Sequence, residues 1–357
     1  MPVATQVSYT LTRLGVVMEP DPTDPNEAEG VLNPASGRLP DGSVFLLPRL
    51  VAAGNVSRVG LARLVVENGV PARVEREGVV LQPDAGWERA DNHAGVEDPR
   101  TTMLADLGLH VMSYVAYGPL GPKPALAVSA DLRNWKRLGP LHFEFSEELD
   151  TDLNLYPNKD VVIFPEPVPG PAGEPCYAVL HRPMWDLGWI APMAGVHLPA
   201  GITDDRPGIW ISYAPVAAVH HTLSALTHLY GHRCVAMSEY DFEALKIGAG
   251  PAPLRIPEGW LLIHHGASGL INNAFEQQKN AHYAAGAMIL SADDPAVVLA
   301  RTPEPLLSPQ TDDETQGIVP NVVFPTAIEQ IDGRNFVFYG MADSKIGVAE
   351  LARAGAG

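Results

Sequence analysis

The chain has 357 residues, of which 46 % are apolar and 18 % charged, with 33 glycines and 34 prolines. This length and composition are typical of a well-packed fold made of many short elements and turns, which excludes extensive disorder. The formal net charge of −18 excludes a nucleic-acid partner, because phosphate neutralisation requires clustered lysines and arginines. An anionic substrate would therefore need a local basic pocket.

The cysteine content and the N-terminus predict the compartment. Cys176 and Cys234 are too few for a disulfide framework or a thiolate metal site, so a reducing compartment is expected. Residues 1–20 lack the basic start and continuous apolar run of a signal peptide, and no later stretch is apolar enough to span a membrane. These features predict a soluble cytoplasmic protein.

Short runs rich in β-branched and aromatic residues recur between clusters of Gly, Pro, Asn and Asp, whereas long amphipathic helical patterns are scarce. The strongest runs are residues 44–47, 109–115, 176–180, 260–264 and 335–339. Another apolar segment follows each run, at residues 59–66, 124–129, 209–214, 283–290 and 346–351. This loose repeat predicts an all-β fold, a β-propeller, because each blade buries its faces only against its neighbours. A pair of β-sandwiches is the alternative, and it explains the recurrence less well.

The residues that end the five runs are unusual for plain turns. In a propeller, equivalent ends of equivalent strands lie near one another around the axis, so these side chains are expected to converge on one cavity. The converging residues would be Arg49, Arg182, His265 and Asp343.

A second candidate feature is the stretch Gly-Val-Glu-Asp-Pro-Arg at residues 95–100. In extended backbone, Glu97 and Asp98 point to opposite sides, so only one of them can face a given cavity. Pro99 favours the β or polyproline conformation for Asp98. We predict that Asp98 is the acid of the cavity. For these residues alone, an ordinary turn with a surface Asp–Arg pair is the alternative.

Many stretches then resemble glycoside hydrolase family 130, the β-mannoside phosphorylases and their mannosidase relatives. They span most of the chain in the family's order, at residues 33–35, 95–100, 131–135, 158–160, 164–165, 181–183, 246–251, 258–266, 301–305, 319–326 and 339–343. The resemblance implies a five-bladed propeller. We predict a single such domain over residues 1–357, with an inserted loop region around 184–208.

Carried over residue by residue, the resemblance implies that Asp98 is the general acid and that a mannosyl residue binds beside it. It also implies a phosphate site formed by Lys159, Arg182, Lys246 and His265. The predicted substrate-binding residues are Asn33, Arg49, Arg58, Glu97, Arg100, Tyr117, Asp160 and Asp343. Inorganic phosphate is the expected co-substrate, with neither a metal nor an organic cofactor.

The charges of these residues predict the reaction. An inverting glycosidase needs an acid and a second carboxylate roughly 6.5–9.5 Å away to activate water. A phosphorylase needs only the acid, since phosphate is already an anionic nucleophile that cations such as Lys159, Arg182 and Lys246 would hold. We therefore predict phosphorolysis of a β-mannoside with inversion, giving α-mannose 1-phosphate. The resemblance adds that the proton can pass through a hydroxyl of the bound mannose.

Three other functions stay open, of which one is phosphorolysis or hydrolysis of a different furanoside or pyranoside. A β-mannosidase would use water and need a carboxylate such as Glu258 or Glu314 opposite Asp98. A carbohydrate-binding propeller would carry a vestigial acid instead.

The insertion leaves linkage and acceptor open. Lys159 stands where arginine is expected in many relatives, and residues 184–207 are longer than the family pattern predicts. Sugar stacking and core packing are both open for Trp185 and Trp189 in that segment. Several relatives form oligomers, so a homo-oligomer is expected.

Overall fold

Five four-stranded antiparallel units follow one another along the chain and form the blades of a propeller. The computed structural model describes residues 8–187, 195–270, 278 and 280–354, so the prediction for Trp189 lies outside the described residues. The first strand, β1 (Tyr9–Met18), belongs to the last blade.

Blades I and II are joined at their edges. Blade I contains β2 (Gly30–Arg38), β3 (Val44–Ala52), β4 (Val56–Glu67) and β5 (Val70–Leu81). Blade II contains β6 (Ala94–Leu104), β7 (Leu109–Gly118), β8 (Gly121–Ser129) and β9 (Lys136–Pro140). A short parallel pairing of β4 with β6 links the two sheets.

Blades III and IV carry small additional strands. Blade III contains β11 (Asn158–Ile163), β13 (Pro175–Pro183), β14 (Ile209–Pro215) and β15 (His228–Ala236), extended by β10 (His142–Phe143) and β12 (Val168–Pro169). Blade IV contains β16 (Lys246–Ala249), β18 (Gly259–Leu270), β19 (Asn280–Leu290) and β20 (Val298–Arg301), with β17 (Leu254–Ile256) paired to β18.

Blade V closes the ring with strands from both ends of the chain. It contains β21 (Val323–Ile331), β22 (Arg334–Met341) and β23 (Lys345–Arg353), and β1 pairs antiparallel with β23 as its outer strand. The helices of the described residues are short: α1 (Val216–His221), α2 (Asp312–Thr315) and the 3-10 helices Pro25–Glu27, Leu153–Leu155, Leu223–Thr227 and Asp241–Glu243. None of these helices is long and apolar enough to cross a membrane.

The hydrophobic core is divided among the interfaces between adjacent blades. One buried cluster, for example, combines Val111 and Leu126 of blade II with Tyr177 and Trp210 of blade III. Corresponding clusters lie between blades III and IV, IV and V, V and I, and I and II. Each blade thus buries its faces against its neighbours, as a propeller requires.

The predicted apolar runs correspond to equivalent strands of the blades. The first set lies in the second strands β3, β7, β13, β18 and β22, and the following segments lie in the third strands β4, β8, β14, β19 and β23. The prediction of an all-β, five-bladed propeller is confirmed, and the β-sandwich alternative is wrong. Residues 184–208 join β13 to β14. Within them, Trp185 is fully buried and packs edge-on against Tyr156 and Trp210, at ring-centroid distances of 5.1 and 5.5 Å, which makes it a core residue.

Candidate active site

The innermost strands of the blades begin at one mouth of the propeller axis, and the second strands end there. In blades I, II and III the innermost strand is interrupted near its start, where its register with the second strand shifts. The residues at these bulges are Asn33, Asp98 and Asp160, with φ angles of 42°, 47° and 54°. Asn and Asp tolerate this left-handed region better than most residues, and bulges re-aim side chains. The repeated bulge therefore turns three polar side chains towards the axis.

Asp98 lies in a compact group of charges. Its Oδ1 accepts hydrogen bonds from Asn33 Nδ2 at 2.8 Å and from Arg49 Nη1 at 3.0 Å. The other terminal nitrogen of Arg49 donates to Glu97 Oε1 at 2.8 Å, and its Nε donates to Ser57 Oγ at 2.8 Å. Arg49 is thus fixed in one orientation between two carboxylates.

This geometry corrects two expectations for the stretch at residues 95–100. Asp98 does not adopt the β or polyproline conformation expected before Pro99, because its φ is 47°. The side chains of Glu97 and Asp98 also do not point to opposite sides of the strand, since both form ion pairs with Arg49. The bulge is the physical reason, because it rotates Asp98 out of the alternation that a regular strand imposes.

The carboxyl groups of this cavity differ in their affinity for protons. Burial acts to raise the pKa of Asp98, but the charges of Arg49 and Lys159 and the hydrogen bond from Asn33 outweigh it and hold that pKa below its ordinary value. Burial raises the pKa of Asp343 to about 6, with repulsion from Asp98 adding to the effect and attraction by Arg49 opposing it. In the free protein, Asp343 holds its proton more tightly than Asp98.

Asp160 is the centre of a second charged group, which lies deeper. Its Oδ1 accepts from Arg100 Nη2 at 3.2 Å, its Oδ2 accepts from Arg182 Nε at 2.5 Å, and His265 Nε2 lies 3.4 Å from Oδ2. Arg100 is 1 % exposed and also donates to the carbonyl oxygens of Gly250, at 2.9 Å, and Ala249. Asp160 and Arg100 therefore brace three blades, and their donors and acceptors are turned towards the protein rather than towards a ligand.

The predicted phosphate-binding residues lie on adjoining strands. Lys159 and Arg182 are directly paired in the register of β11 and β13, so their side chains share one face. Within the described residues, the buried Nη1 of Arg182 has no hydrogen-bond acceptor. Burial lowers the pKa of Lys246 to about 7, and the positive charges of Arg182 and Lys159 act in the same direction. Burial also lowers the pKa of His265 to about 4, so this imidazole is neutral near pH 7.

Other predicted residues occupy the edge of the cavity or lie elsewhere. Lys159 Nζ approaches Glu97 Oε2 at 3.6 Å and lies 5.6 Å from the ring centroid of the half-buried Tyr117. Arg58 donates to Asn26 Oδ1 at 2.5 Å, and within the described residues no hydrogen bond joins it to the charged groups around Asp98. The structure thus brings Tyr117 to the cavity and leaves Arg58 outside these groups.

The two carboxylates considered for water activation are engaged elsewhere. Glu258 pairs with Arg353 near the end of β23. Glu314 is fully buried, where it accepts from Arg13 Nε at 2.8 Å and from the hydroxyl of Tyr339 at 3.0 Å. Neither one lies opposite Asp98, so these two candidates are wrong.

Sequence reasoning missed Tyr283 as a cavity residue. Lys246 Nζ lies 5.2 Å from the ring centroid of Tyr283. Burial raises the pKa of the Tyr283 phenol; the charge of Arg182 lowers this pKa, and the charges of Asp343 and Asp160 raise it. The position of Tyr283 at the start of a continuous apolar segment, residues 283–290, gave no signal of this role.

Two glycines make room for the site. A Cβ at Gly248 would lie 2.2 Å from Asp160 Oδ2, and one at Gly340 would lie 2.0 Å from Asn33 Oδ1.

Fold and site together define the class of protein: a five-bladed propeller enzyme with an acid and a group of cations at one mouth of its axis. The family profile described as beta-1,4-mannooligosaccharide phosphorylase, that of glycoside hydrolase family 130, matches residues 51–354. The chain belongs to glycoside hydrolase family 130.

Named relatives agree with this assignment, and a solved structure agrees with the fold. The chain is 30 % identical over 303 residues to a beta-1,2-mannobiose phosphorylase of Thermoanaerobacter sp. (strain X514), covering 84 % of this chain and 78 % of the relative. It is 31 % identical over 260 residues to a 1,2-beta-oligomannan phosphorylase of the same strain, covering 72 % and 68 %. The structure of a beta-1,2-mannobiose phosphorylase from Listeria innocua, in complex with beta-1,2-mannobiose, superposes with a TM-score of 0.69 at 22 % identity, covering 96 % of each chain.

Proposed function

We propose that this protein is an inverting phosphorylase of β-linked mannosides, which transfers a mannosyl group to inorganic phosphate and releases α-mannose 1-phosphate. Two relatives that match 84 % and 72 % of this chain are named for β-1,2-linked mannosides, so β-1,2-mannobiose is the first substrate to test.

One observation carries the proposal: a buried guanidinium donor without an acceptor faces a group of other cations. Arg182 Nη1 lacks a partner within the described residues, although buried donors are ordinarily satisfied. Lys159 is its register partner, and the charges of both residues lower the pKa of Lys246. An oxyanion bound here would satisfy the free N–H and restore the charge of Lys246, because an adjacent negative charge favours the ammonium form.

Asp98 would supply the proton to the leaving oxygen. In the free protein its pKa lies below the ordinary value, so the acid must gain a proton when the substrates bind. Bound sugar would exclude water from Asp98, and phosphate would add negative charge close to Lys159, whose positive charge lowers the pKa of Asp98 in the free protein. Both changes raise a carboxyl pKa. Acid catalysis would then depend on the presence of both substrates.

A hydrolase is the second candidate, and Asp343 is the residue that favours it. Its pKa of about 6 suits a general base, and it lies near enough to Asp98 and Glu97 for their charges to affect its pKa. In such an enzyme Asp343 would activate water, and the cations would only stabilise the cavity.

The two candidates make opposite predictions for one experiment. The protein is incubated with β-1,2- and β-1,4-mannobiose, with and without inorganic phosphate, and the products are identified by NMR. A phosphorylase produces α-mannose 1-phosphate and requires phosphate for turnover. Release of two free mannoses at a rate independent of phosphate would refute the proposal. In that case Asp343→Asn should abolish the hydrolysis.

We also propose that the enzyme is classified with the glycosyltransferases, that it forms a homo-oligomer and that it is located in the cytoplasm. The classification follows if synthesis from a sugar phosphate is efficient. Gel filtration with light scattering measures the oligomeric state, and cell fractionation measures the location.

A further inference from the structure

A row of buried polar side chains crosses blade III from the candidate phosphate site towards the outer edge of the blade. We name it the blade III network, and it consists of Asn158, His181, Ser212 and His232. Each of them is at most 9 % exposed. The aromatic ring of Phe143 covers both imidazoles, at centroid distances of 4.8 Å from His181 and 5.6 Å from His232.

The inner half of the network is attached to the backbone of Arg182. The amide N–H of Arg182 donates to Asn158 Oδ1 at 3.1 Å. A backbone amide can only donate, so this oxygen is the acceptor and Asn158 Nδ2 must be a donor. Asn158 Nδ2 lies 2.9 Å from His181 Nδ1, which must therefore accept. His181 then carries its proton on Nε2, which lies 2.8 Å from Ser212 Oγ.

The outer half of the network independently gives the same direction of hydrogen-bond donation, outward from Arg182 towards Glu144. His232 Nε2 lies 2.8 Å from the backbone oxygen of Glu144, which can only accept, so this nitrogen carries the proton. His232 Nδ1 must then accept from Ser212 Oγ at 2.8 Å. Ser212 in turn accepts from His181. Every donor thus meets an acceptor when both histidines are neutral, and burial, which lowers the pKa of both, favours that state.

The direction matters because the inner end lies beside the predicted phosphate-binding pair. Asn158 immediately precedes Lys159, and its side chain holds the backbone of Arg182, the register partner of Lys159. Rotation of the Asn158 amide would place an NH2 group against the Arg182 N–H. The two strands would then separate at the positions that present both cations.

We propose that the blade III network positions Lys159 and Arg182 for the anionic co-substrate. The inference rests on the proposed function in one respect, that the anion is inorganic phosphate. The four side chains are positioning residues, since they act through the backbone of Arg182. Small displacements of binding groups can weaken a precisely arranged site strongly.

His232 is the best place to test the network, because it is the member farthest along the chain of bonds from Arg182. In His232→Asn, the amide oxygen can accept from Ser212 in place of Nδ1. In His232→Leu, the Ser212 hydroxyl has no acceptor. Ser212→Ala, a smaller change, interrupts the same network and serves if His232→Leu does not fold.

The measurements are phosphate binding by calorimetry without sugar, and the KM values for phosphate and for the mannoside. We expect His232→Leu and Ser212→Ala to weaken phosphate binding and raise the phosphate KM about tenfold, as the loss of a buried hydrogen bond would. The mannoside KM should stay within about twofold, and His232→Asn should keep phosphate binding within about twofold of the wild type.

Wild-type phosphate affinity in both His232→Leu and Ser212→Ala would overturn the inference. A similar increase of both KM values in all three variants would also overturn it, because it would indicate a general structural role. A wild-type protein that binds phosphate but does not phosphorolyse mannosides would refute the proposed function and leave the network supported by the binding results.

Discussion

Asp160 joins three blades through one buried carboxylate, so replacing it with asparagine should destabilise the whole propeller. Asp160→Asn keeps the shape of the side chain but removes its charge and places an amide NH2 group against Arg100 or Arg182. Both guanidinium groups are at most 5 % exposed in their side chains, so neither can recover its lost partner from water.

Breaking a buried ion pair by removing one partner costs about 3–5 kcal/mol, because a charge stays buried without compensation. The unfolding entropy is about 2.1 cal/mol/K per residue, so for a chain of 357 residues the total unfolding entropy is roughly 0.75 kcal/mol/K near the melting temperature. The loss therefore corresponds to a Tm lowered by about 4–7 °C.

Thermal unfolding of Asp160→Asn measures this loss, and Asp204→Asn is the matched control. Asp204 also pairs with an arginine, but the side chains of Asp204 and Arg206 are 30 % and 39 % exposed. Such a surface pair contributes only about 0–1 kcal/mol, so the control should shift Tm by little more than about 1 °C.

The pH dependence provides a second check. The charges around Asp160 hold its pKa well below the ordinary value despite burial. The stabilisation is therefore fully present above the unfolded pKa of about 3.9 and is lost as the pH falls through the folded value. The difference in Tm between wild type and Asp160→Asn should become smaller only below about pH 3.9. Equal Tm values for Asp160→Asn and wild type at pH 7 would refute the reasoning.

Three further changes test the cavity. Asp98→Asn should lower kcat by about 10²–10⁴ while calorimetry shows unchanged sugar affinity, and a variant with more than about a tenth of wild-type turnover would contradict the role of general acid. Lys246, whose pKa is about 7, loses its charge as the pH rises, so the phosphate KM should increase above pH 7. Lys246→Arg should flatten that profile, and an unchanged profile would argue against contact with phosphate. Gly340→Ala should displace Asn33 from Asp98 and reduce both kcat and Tm, whereas Gly86→Ala, where a Cβ has open space, should change neither.

Much of the fold is encoded in local patterns. The apolar runs predicted the second and third strands of every blade, because short continuous runs of apolar, β-branched and aromatic residues are typical of strands that pack on both faces. The positions at which these runs end predicted the direction of Arg49 and Arg182 towards the axis, since equivalent strands of a propeller end at the same mouth.

The details of the site depend on backbone geometry that the sequence pattern does not express. A strict alternation placed Glu97 and Asp98 on opposite faces, whereas one bulge brings both to Arg49. The role of Asp160 depends on Arg100 of blade II and His265 of blade IV, which are remote from it in sequence. Tyr283 likewise packs against Phe324 of blade V, at a ring-centroid distance of 6.1 Å. The partners of a buried carboxylate become apparent only when the blades are assembled.

The most direct test of the central claim runs the reaction in the direction of synthesis. The protein is supplied with α-mannose 1-phosphate and mannose, and phosphate release is measured together with the formation of a disaccharide. A site that holds phosphate beside the general acid Asp98 predicts release of inorganic phosphate in equal amounts with a new β-mannoside. Failure to release phosphate, by a preparation that converts β-mannobiose to free mannose, would contradict the account.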